Sequence, residues 1–390
     1  MISYAEYLEC TNCQKTYDYV TPYRTCNDCG KVLYVRYDID KAKVNFDRNI
    51  LSKRINSMWR YFEMMPIKNE SNIVSLGEGM TPLLQASNLG KSLDCSQIYI
   101  KDEGCNPTGS FKARGLSAAV SRAKELGLTK LTMPSAGNAG GALSLYCARG
   151  NMEANVFMPK DAPEANQRES KDAGANLTLI DGLISDAGKI SREKAHENGL
   201  FDVSTLQEPY RAEGKKTMGY EIAEQLNWET PDVIIYPTGG GTGLIGIWKA
   251  FKEMYELGWI NKPKTKMICV QSSGCAPMVR AYESGSNNAE MWENAQTFAS
   301  GIRVPAAIGD YLILEAIRES NGTALTVTDE EMIDCIQMIA SHEGIYPAPE
   351  GAATLAALKH LLNSKIINPD EKIILMNTGN AYKYLDMWGS

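Results

Sequence analysis

The stretch Val233-Ile-Ile-Tyr-Pro-Thr238-Gly239-Gly240-Gly241-Thr242-Gly243-Leu-Ile-Gly246 runs from an apolar strand through glycines into an amphipathic helix. Glycines at such a turn lack Cβ atoms, so an anion can approach the backbone amides at the helix start closely. The spacing Gly241-x-Gly243-x-x-Gly246 also matches the dinucleotide fingerprint, but the next predicted strand ends in Val270-Gln271-Ser272, without a carboxylate for a ribose hydroxyl. The stretch therefore favours a phosphate site over a nicotinamide site.

The alternation of strand and helix continues on both sides of this stretch. The apolar runs are nearly continuous, which is typical of parallel strands covered by helices on both faces. Seven or so such units exceed what one small sheet needs, and we expect an α/β protein of two lobes with a cleft between them. The predicted strands are 98–101, 131–133, 154–158, 177–180, 233–236, 267–270 and 372–376, and the predicted helices are 111–126, 138–149, 185–198, 212–226, 244–254, 329–341 and 352–362.

The composition of the 390-residue chain excludes several partners. Its 40 basic and 47 acidic residues give a formal net charge of −7, so a chain-wide basic footprint for nucleic acid is absent. No run approaches the ~18 apolar residues that a membrane span needs, and residues 1–7 do not read as a signal peptide. We expect a soluble, cytoplasmic protein with neither nucleic acid nor a membrane as partner.

Four of the ten cysteines form the pattern Cys10-x2-Cys13-x12-Cys26-x2-Cys29. Two C-x2-C turns can direct four thiolates at one ion, and four thiolates leave zinc no open coordination position. The alternatives are two disulfides, which are rare in cytosolic proteins, or a redox C-x-x-C pair, which needs no second copy. We predict a structural zinc ribbon over residues 1–38.

Two further helix starts can carry chemistry. In Asn106-Pro-Thr-Gly-Ser110-Phe-Lys112, turn residues precede a helix that we expect Ser110 to cap. The helix dipole would then lower the pKa of Lys112 and favour its free amine as a nucleophile, whereas a solvated surface lysine is the alternative. In Ser135-Ala-Gly-Asn138, a hydroxyl and amides at a helix start suit a carboxylate or phosphate, or the small residues simply allow a tight turn.

The last predicted strand ends in the polar group Asn377-Thr378-Gly379. The carboxyl ends of strands face the ligand crevice in open α/β sheets, so Thr378 either binds a ligand or caps the following turn. The chain contains no G-x-S-x-G elbow, no H-E-x-x-H and no P-loop lysine, which removes the usual support for hydrolases, zincins and nucleotidases.

In order and spacing, these four motifs resemble those of the fold-type II pyridoxal phosphate (PLP) enzymes, which are tryptophan synthase beta-like. Within that group the chain is most similar to the threonine synthases that carry a zinc ribbon. The resemblance implies a large PLP-binding domain of residues 39–109 and 206–390, a small α/β domain of residues 110–205, and a homodimer. Its supporting stretches are Ser75-Leu-Gly-Glu-Gly79-Met-Thr81-Pro82, Gly214-Lys-Lys-Thr-Met-Gly-Tyr220, Gly301-Ile-Arg303-Val-Pro305 and Pro349-Glu350-Gly-Ala-Ala.

The resemblance also implies roles for individual residues. Lys112 would bind the cofactor covalently and move a proton at the substrate's α-carbon, Asn138 would bond the phenolic oxygen, and Thr378 would contact the pyridine nitrogen. A phosphorylated substrate needs further cationic groups, for which Lys215 and Arg303 are the candidates. The remaining implied ligands are Gly239, Gly240, Gly241, Thr242 and Gly243 for the cofactor phosphate, and Ser135, Ala136 and Gly137 for the substrate carboxylate.

The reaction implied by the resemblance converts O-phospho-L-homoserine and water to L-threonine and phosphate. Asn380-Ala381-Tyr382 stand where the family usually has a second glycine and a leucine, beside the cofactor. Two related activities therefore stay open: a cysteate synthase that uses O-phosphoserine and sulfite, and a threonine or serine dehydratase. A binding protein that has lost catalysis is disfavoured because Lys112 and the glycines are intact.

Overall fold

The computed structural model describes residues 1–386, which form two compact units. The first unit comprises Met1–Met80, Asn106–Thr217 and Glu256–Trp259, and the second comprises Thr81–Cys105, Met218–Tyr255 and the chain from Ile260 onward. The domain bounds expected from the sequence stay a prediction, and residues 387–390 of the expected large domain lie outside the described residues.

The strands and helices alternate along most of the chain, and short 3-10 helices fill some of the connections. The strands are β1 (Ala5–Cys10), β2 (Thr16–Tyr17), β3 (Leu33–Tyr37), β4 (Leu83–Gln85), β5 (Ile98–Asp102), β6 (Lys130–Pro134), β7 (Glu153–Pro159), β8 (Asn176–Ile180), β9 (Phe201–Asp202), β10 (Val233–Pro237), β11 (Lys266–Ser272), β12 (Thr323–Val327) and β13 (Ile373–Asn377).

Twelve α-helices accompany these strands within residues 1–386. They are α1 (Ile39–Asn45), α2 (Ser87–Ser92), α3 (Lys112–Glu125), α4 (Asn138–Gly150), α5 (Glu164–Asp172), α6 (Ile184–Asn198), α7 (Tyr210–Gln225), α8 (Thr242–Glu256), α9 (Pro277–Glu283), α10 (Asp310–Glu319), α11 (Asp329–Glu343) and α12 (Pro349–Asn363). Among the described residues, no helix is long and apolar enough to cross a membrane.

The first unit contains two sheets. The N-terminal ribbon is a three-stranded antiparallel sheet in the order β2-β1-β3, in which Leu8 pairs with Val35 and Cys10 with Leu33. The second sheet is fully parallel in the order β8-β7-β6-β9. Its carboxyl edge leads through residues 135–137 into α4, which is one of the predicted anion sites.

The second unit is built on a six-stranded sheet in the order β12-β11-β10-β13-β5-β4. Five strands are parallel, and the edge strand β4 is antiparallel to β5. Every residue of β10 and β13 is buried, as their continuous apolar sequences require for central strands covered on both faces. This confirms the predicted α/β class with parallel sheets.

The structure contains all seven predicted strands and all seven predicted helices, with small shifts at their ends. The sequence prediction missed several elements. Strand β12 alternates polar and apolar residues at the edge of its sheet, and α5 is strongly polar. Helices α9 and α10 lie in a region that the sequence analysis left without structure.

Candidate active site

Lys112 is the first residue of α3 and follows a tight turn. The amide of Gly109 donates to the carbonyl of Asn106 over 2.7 Å, and Gly109 has a φ of 65°, which favours glycine. The prediction that Ser110 caps α3 is wrong, because the turn places it one residue too early. The cap residue is Phe111, and the hydroxyl of Ser110 accepts a long 3.4 Å bond from the amide of Lys112. Lys112 itself is half-buried.

Two lysines lie against the ring of Phe111. The ammonium nitrogen of Lys112 is 4.6 Å from the ring centroid, and that of Lys215, on α7, is 3.4 Å from it. Lys215 is buried, and its ammonium group also donates to the carbonyl of Phe111. A candidate ligand for the substrate phosphate is thus bonded to the backbone directly before Lys112.

Helices α3 and α7 approach closely at this point. A Cβ atom on Gly214 would lie 2.1 Å from the carbonyl oxygen of Arg114, and one on Gly115 would lie 3.0 Å from Cε of Lys215. The guanidinium of Arg114 donates to the hydroxyl of Thr217 over 3.0 Å, and both side chains are buried. Glycines on both helices therefore allow the contact that brings Lys215 to the start of α3.

The loop from Ser135 to Asn138 connects β6 to α4. The Ser135 hydroxyl accepts hydrogen bonds from the amides of Gly137 (3.2 Å) and Gly140 (2.8 Å), and it donates to the carbonyl of Gly137 (2.8 Å). Amides at a helix start have no partner within the helix, so Ser135 satisfies them locally. This helix start therefore has the amides of Gly137 and Gly140 bonded by a side chain of its own loop, and the carboxylate assigned to it stays a prediction.

The glycine loop, residues 239–243, connects β10 to the start of the 15-residue helix α8. Gly241 has a φ of 72°, which favours glycine. A Cβ atom on Gly239 would lie 2.6 Å from the carbonyl oxygen of Gly301, and one on Gly243 would lie 1.8 Å from the Tyr236 hydroxyl. Packing within the second unit thus fixes the loop, and the dipole of α8 makes it suitable for an anion.

Thr378 follows β13, the strand that pairs with β10. Parallel neighbours end at the same edge of a sheet, so Thr378 and the glycine loop lie at one edge of this unit. Two further buried atoms near this edge, Oγ of Ser300 and Oδ1 of Asn377, have no hydrogen-bond partner within residues 1–386. The half-buried Arg303 belongs to the turn 301–304 that packs against Gly239.

The sequence analysis did not select two buried carboxylates that support these sites. Glu350 accepts hydrogen bonds from the amide of Gly301 (2.6 Å) and the hydroxyl of Tyr384 (3.2 Å), which anchors the turn beside the glycine loop. Glu350 and the second carboxylate, Glu78, were marked in the sequence only by lying in stretches that resemble the family. Their hydrogen-bond partners lie far away along the chain, so no local pattern identifies them.

The second of these carboxylates, Glu78, lies in the first unit. It accepts bonds from the side chains of Trp59 (2.9 Å), Ser117 (2.6 Å) and Tyr146 (2.5 Å). Burial, together with the charge of Glu78, raises the pKa of Tyr146. Since Ser117 belongs to α3 and Tyr146 to α4, Glu78 ties the Lys112 helix to the helix of the Ser135 loop.

The sulfur atoms of Cys10, Cys13, Cys26 and Cys29 all lie within 4.8 Å of one another. The separations of three pairs are 3.4, 3.6 and 3.7 Å. Zinc–sulfur bonds of about 2.3 Å in a tetrahedron place the sulfurs about 3.8 Å apart, so this donor set is compatible with one zinc ion. Burial raises the pKa of Cys26, but hydrogen bonds from Tyr17 and two backbone amides outweigh it and lower the pKa to about 6.

The six other cysteines have different surroundings. Cys95, Cys147, Cys269, Cys275 and Cys335 are buried, and burial raises the pKa of Cys147 and of Cys269 to about 12. Cys105 is exposed, but partial burial and the Asp102 carboxylate, 3.3 Å from its sulfur, raise its pKa to about 11. The ribbon thiols differ from one another: the thiolate form is favoured at Cys26, whereas burial raises the pKa of Cys10 to about 12 and disfavours the thiolate there.

A comparison with known proteins identifies the family to which the chain belongs. The model of the pyridoxal-phosphate dependent enzymes matches residues 74–379, which include both anion loops, Lys112 and Thr378. The chain belongs to this family. Three relatives of this PLP-dependent enzyme are threonine synthases: that of Methanocaldococcus jannaschii (37% identical, over 96% of this chain and 92% of the relative), that of Methanosarcina acetivorans (34%, 97% and 92%) and that of Halalkalibacterium halodurans (33%, 84% and 90%).

Solved structures show the same fold at lower sequence identity. Maize serine racemase superposes with a TM-score of 0.67 at 21% identity, over 77% of this chain and 88% of that one. Threonine deaminase isoform 2 from Solanum lycopersicum gives 0.67 at 24%, over 77% and 79%. These likenesses confirm the predicted fold-type II class, with a cluster of four cysteines at the N-terminus.

The residues of the PLP-dependent enzyme fit its cofactor. A helix start with a glycine loop suits the phosphate, and Thr378 at the same sheet edge supplies a hydroxyl for a ring atom. The buried Ser300 and Asn377 oxygens at this edge leave hydrogen-bonding capacity for a polar ligand. Lys112 supplies the half-buried primary amine that a carbonyl cofactor needs.

Proposed function

We propose that this PLP-dependent enzyme is a threonine synthase, which converts O-phospho-L-homoserine and water to L-threonine and phosphate. The observation that carries the proposal is the similarity, over more than nine-tenths of both chains, to two relatives named threonine synthase. We further propose a structural zinc ion bound by the four ribbon cysteines, a cytoplasmic location, and the homodimer that the resemblance implies.

Lys112 has the central role in this proposal. When bound, PLP serves as an electron sink for negative charge that develops at the substrate's α-carbon. Lys112 holds the cofactor in the resting enzyme, and its freed amine then removes and returns the proton at that carbon. The bond from Lys215 to the Phe111 carbonyl supports this role, because it fixes the backbone next to Lys112. We therefore assign Lys215 to holding the backbone directly before Lys112 rather than to the substrate.

The remaining cofactor ligands in this proposal are those that the resemblance implies. Residues Gly239, Gly240, Gly241, Thr242 and Gly243 bind the cofactor phosphate, and Thr378 donates to or accepts from the ring nitrogen. Asn138, the first residue of α4, bonds the phenolic oxygen. A hydroxyl next to the pyridine nitrogen leaves the cofactor ring less electron-withdrawing than a carboxylate would, because a carboxylate keeps that nitrogen protonated. The weaker electron withdrawal suits elimination and replacement better than transamination.

The substrate makes two anionic contacts in the proposal. Ser135, Ala136 and Gly137 bind its carboxylate at the start of α4, where a hydroxyl and amides already converge. Arg303 binds its phosphate, since a guanidinium can form paired charge-assisted bonds with phosphate oxygens. The half-burial of Arg303 in a turn anchored by Glu350 supports this assignment.

The test is an assay of phosphate release by the PLP-loaded protein, with products identified by mass. O-phospho-L-homoserine should yield threonine and phosphate in equal amounts, while O-phosphoserine with sulfite, L-threonine and L-serine should not be converted. Borohydride reduction should fix the cofactor on the peptide that contains Lys112, and Lys112→Ala should lose at least about a thousandfold in kcat. Conversion of only the sulfite pair or of the free amino acids would replace the proposed substrate and retain the cofactor chemistry.

A further inference from the structure

The N-terminal ribbon is bonded to α7 through a group of three buried side chains. The hydroxyl of Tyr37, the last residue of β3, donates to the Glu213 carboxylate over 2.7 Å. Glu213 forms an ion pair of 2.6 Å with Lys216, and both of these side chains are 0% exposed. The Lys216 ammonium also lies 3.9 Å from the centroid of the Tyr37 ring. Loss of the Tyr37 hydroxyl would remove a hydrogen bond from a buried carboxylate.

The same turn of α7 also holds the residue before Lys112. Lys215 lies in sequence between Glu213 and Lys216, and its ammonium donates to the carbonyl of Phe111. One helical turn therefore binds the ribbon through two residues and the start of α3 through a third. A shift of this turn would move the Phe111 carbonyl and ring, against which Lys112 lies.

A second contact ties the ribbon to α3 itself. The guanidinium of Arg122 donates to the carbonyl of Tyr19 and lies 4.0 Å from the centroid of the Tyr19 ring. The Tyr19 hydroxyl in turn donates to the carbonyl of Pro66. The ribbon is thus bonded to both helices that meet at Lys112, so its contacts extend beyond its own fold.

The cysteine cluster and Tyr37 lie at opposite ends of one strand pairing. Strands β1 and β3 pair from Cys10 with Leu33 at one end to Ala5 with Tyr37 at the other. The position of Tyr37 therefore depends on the same two strands whose far end carries a cysteine of the cluster. This gives the ribbon a direct structural path to α7.

We infer that Tyr37 is a positioning residue for Lys112, through which the four-cysteine ribbon fixes the turn of α7 that holds the Phe111 carbonyl. This inference rests on the proposed PLP chemistry at Lys112 and adds a role for the ribbon in it. Tyr37 touches neither cofactor nor substrate in this role, so its effect must appear in how Lys112 binds the cofactor and transfers protons.

The test compares Tyr37→Phe with Tyr23→Phe in the full-length holoenzyme. Tyr23 is the matched control because its hydroxyl donates to Asp18 within the ribbon, over 3.0 Å. We measure PLP affinity, the absorption spectrum of the bound cofactor against pH, kcat and KM, together with metal content. A hydrogen bond to a buried charge changes an equilibrium by about tenfold, so Tyr37→Phe should weaken PLP binding about tenfold.

The other readouts distinguish positioning from a general loss of structure. Tyr37→Phe should also lower kcat, displace the pH midpoint of the cofactor spectrum and leave the substrate KM within about twofold. Tyr23→Phe should match the wild type in every measurement, and both variants should retain the wild-type metal content. The inference is overturned if Tyr37→Phe has the PLP affinity and spectrum of Tyr23→Phe.

A second variant covers the case in which Tyr37→Phe does not fold. Glu213→Gln keeps the shape of its side chain and weakens the same bond from the α7 side. It should reproduce the loss of PLP affinity, and if Tyr37→Phe is folded, the double variant should lose little more than either single variant. Unchanged PLP affinity in Glu213→Gln would overturn the inference. A wild-type protein that forms no covalent bond between PLP and Lys112 would instead refute the proposed function.

Discussion

The starts of α4 and α8 follow one plan, a parallel strand that leads through small residues into a helix, but they differ in what their amides bind. At α4 the Ser135 hydroxyl covers the amides of Gly137 and Gly140. At α8 the loop positions Gly239, Gly240 and Gly241 have no side chain that could do so, and packing within the second unit sets the backbone.

This difference matches the two ligands proposed for these helix starts. A cofactor stays bound through many turnovers, so its phosphate site gains from being rigid and ready before binding. A substrate enters and leaves in each turnover, and its carboxylate must share or replace the bonds that Ser135 makes. We therefore expect changes at α8 to act on cofactor affinity and changes at α4 to act on the substrate.

Gly239→Ala should have the largest effect. The new methyl group would lie 2.6 Å from the carbonyl oxygen of Gly301 and 2.9 Å from Cγ2 of Val304, so the loop must move at a cost of about 1–3 kcal/mol. PLP affinity, measured by titration, should fall about ten- to a hundredfold. Gly188→Ala in α6 is the control, because its methyl group would meet no atom closer than 3.4 Å. Equal affinities for the two variants would contradict a rigid phosphate site.

Ser135→Ala should have a smaller and different effect. Loss of the hydroxyl removes one donor to the substrate carboxylate, so the substrate KM should rise about five- to tenfold while PLP affinity stays within about twofold. The control is Ser144→Ala, because the Ser144 hydroxyl bonds the carbonyl of Gly140 on the same helix and not the loop amides. If PLP affinity fell by the same factor as KM rose, the expectation that changes at α4 act on the substrate and not on the cofactor would be wrong.

Substitution of Glu208 should have the smallest effect, which is on how the stability of the protein changes with pH. It accepts bonds from the amides of Tyr210 (2.6 Å) and Arg211 (3.1 Å) at the start of α7. Burial raises its pKa to about 7, although the charge of Arg211 and the two amides oppose this. Because the folded pKa lies above the ordinary 4.5, the folded state binds the extra proton, and stability is lost as pH rises through about 7.

Thermal unfolding should detect this dependence. Glu208→Gln should flatten the change in Tm between about pH 5 and 8, by about 2 °C for a chain of this size. Glu197→Gln, on the exposed face of α6, should leave that change as it is in the wild type. If Tm of Glu208→Gln changed with pH as it does in the wild type, the Glu208 carboxyl would not be the group whose protonation sets this dependence.

Central strands and helix starts could be predicted from the sequence because their signals are local. The apolar run of β10 and the glycines after it specify a buried strand, a turn and a helix within fourteen residues. Strand β12 was missed because an edge strand is only partly buried, and its sequence does not form a continuous apolar run.

The supports of the candidate site could not be predicted in the same way. Lys215 bonds a carbonyl 104 residues away, and Glu78 bonds the hydroxyl of Tyr146 across 68 residues. The amino-acid type sets what each group can bond, but only the packing of α3, α4 and α7 decides which partner is near. Ser110 shows that even a local prediction can be wrong by one residue. The turn before α3 is one residue longer than expected, so Phe111 and not Ser110 occupies the cap position.

The exposure of two ribbon thiols, Cys13 and Cys29, makes the ribbon's occupancy countable. A soft alkylating reagent at neutral pH attacks thiolates, whereas burial protects five of the other cysteines and Cys105 is held in its protonated form. Metal-bound sulfurs do not react, so an occupied ribbon should leave the folded chain almost unlabelled. Molecules that lack the ion should carry labels confined to the peptide around residues 10–29. Mass spectrometry of intact chains would then report the occupied fraction molecule by molecule, without a metal assay.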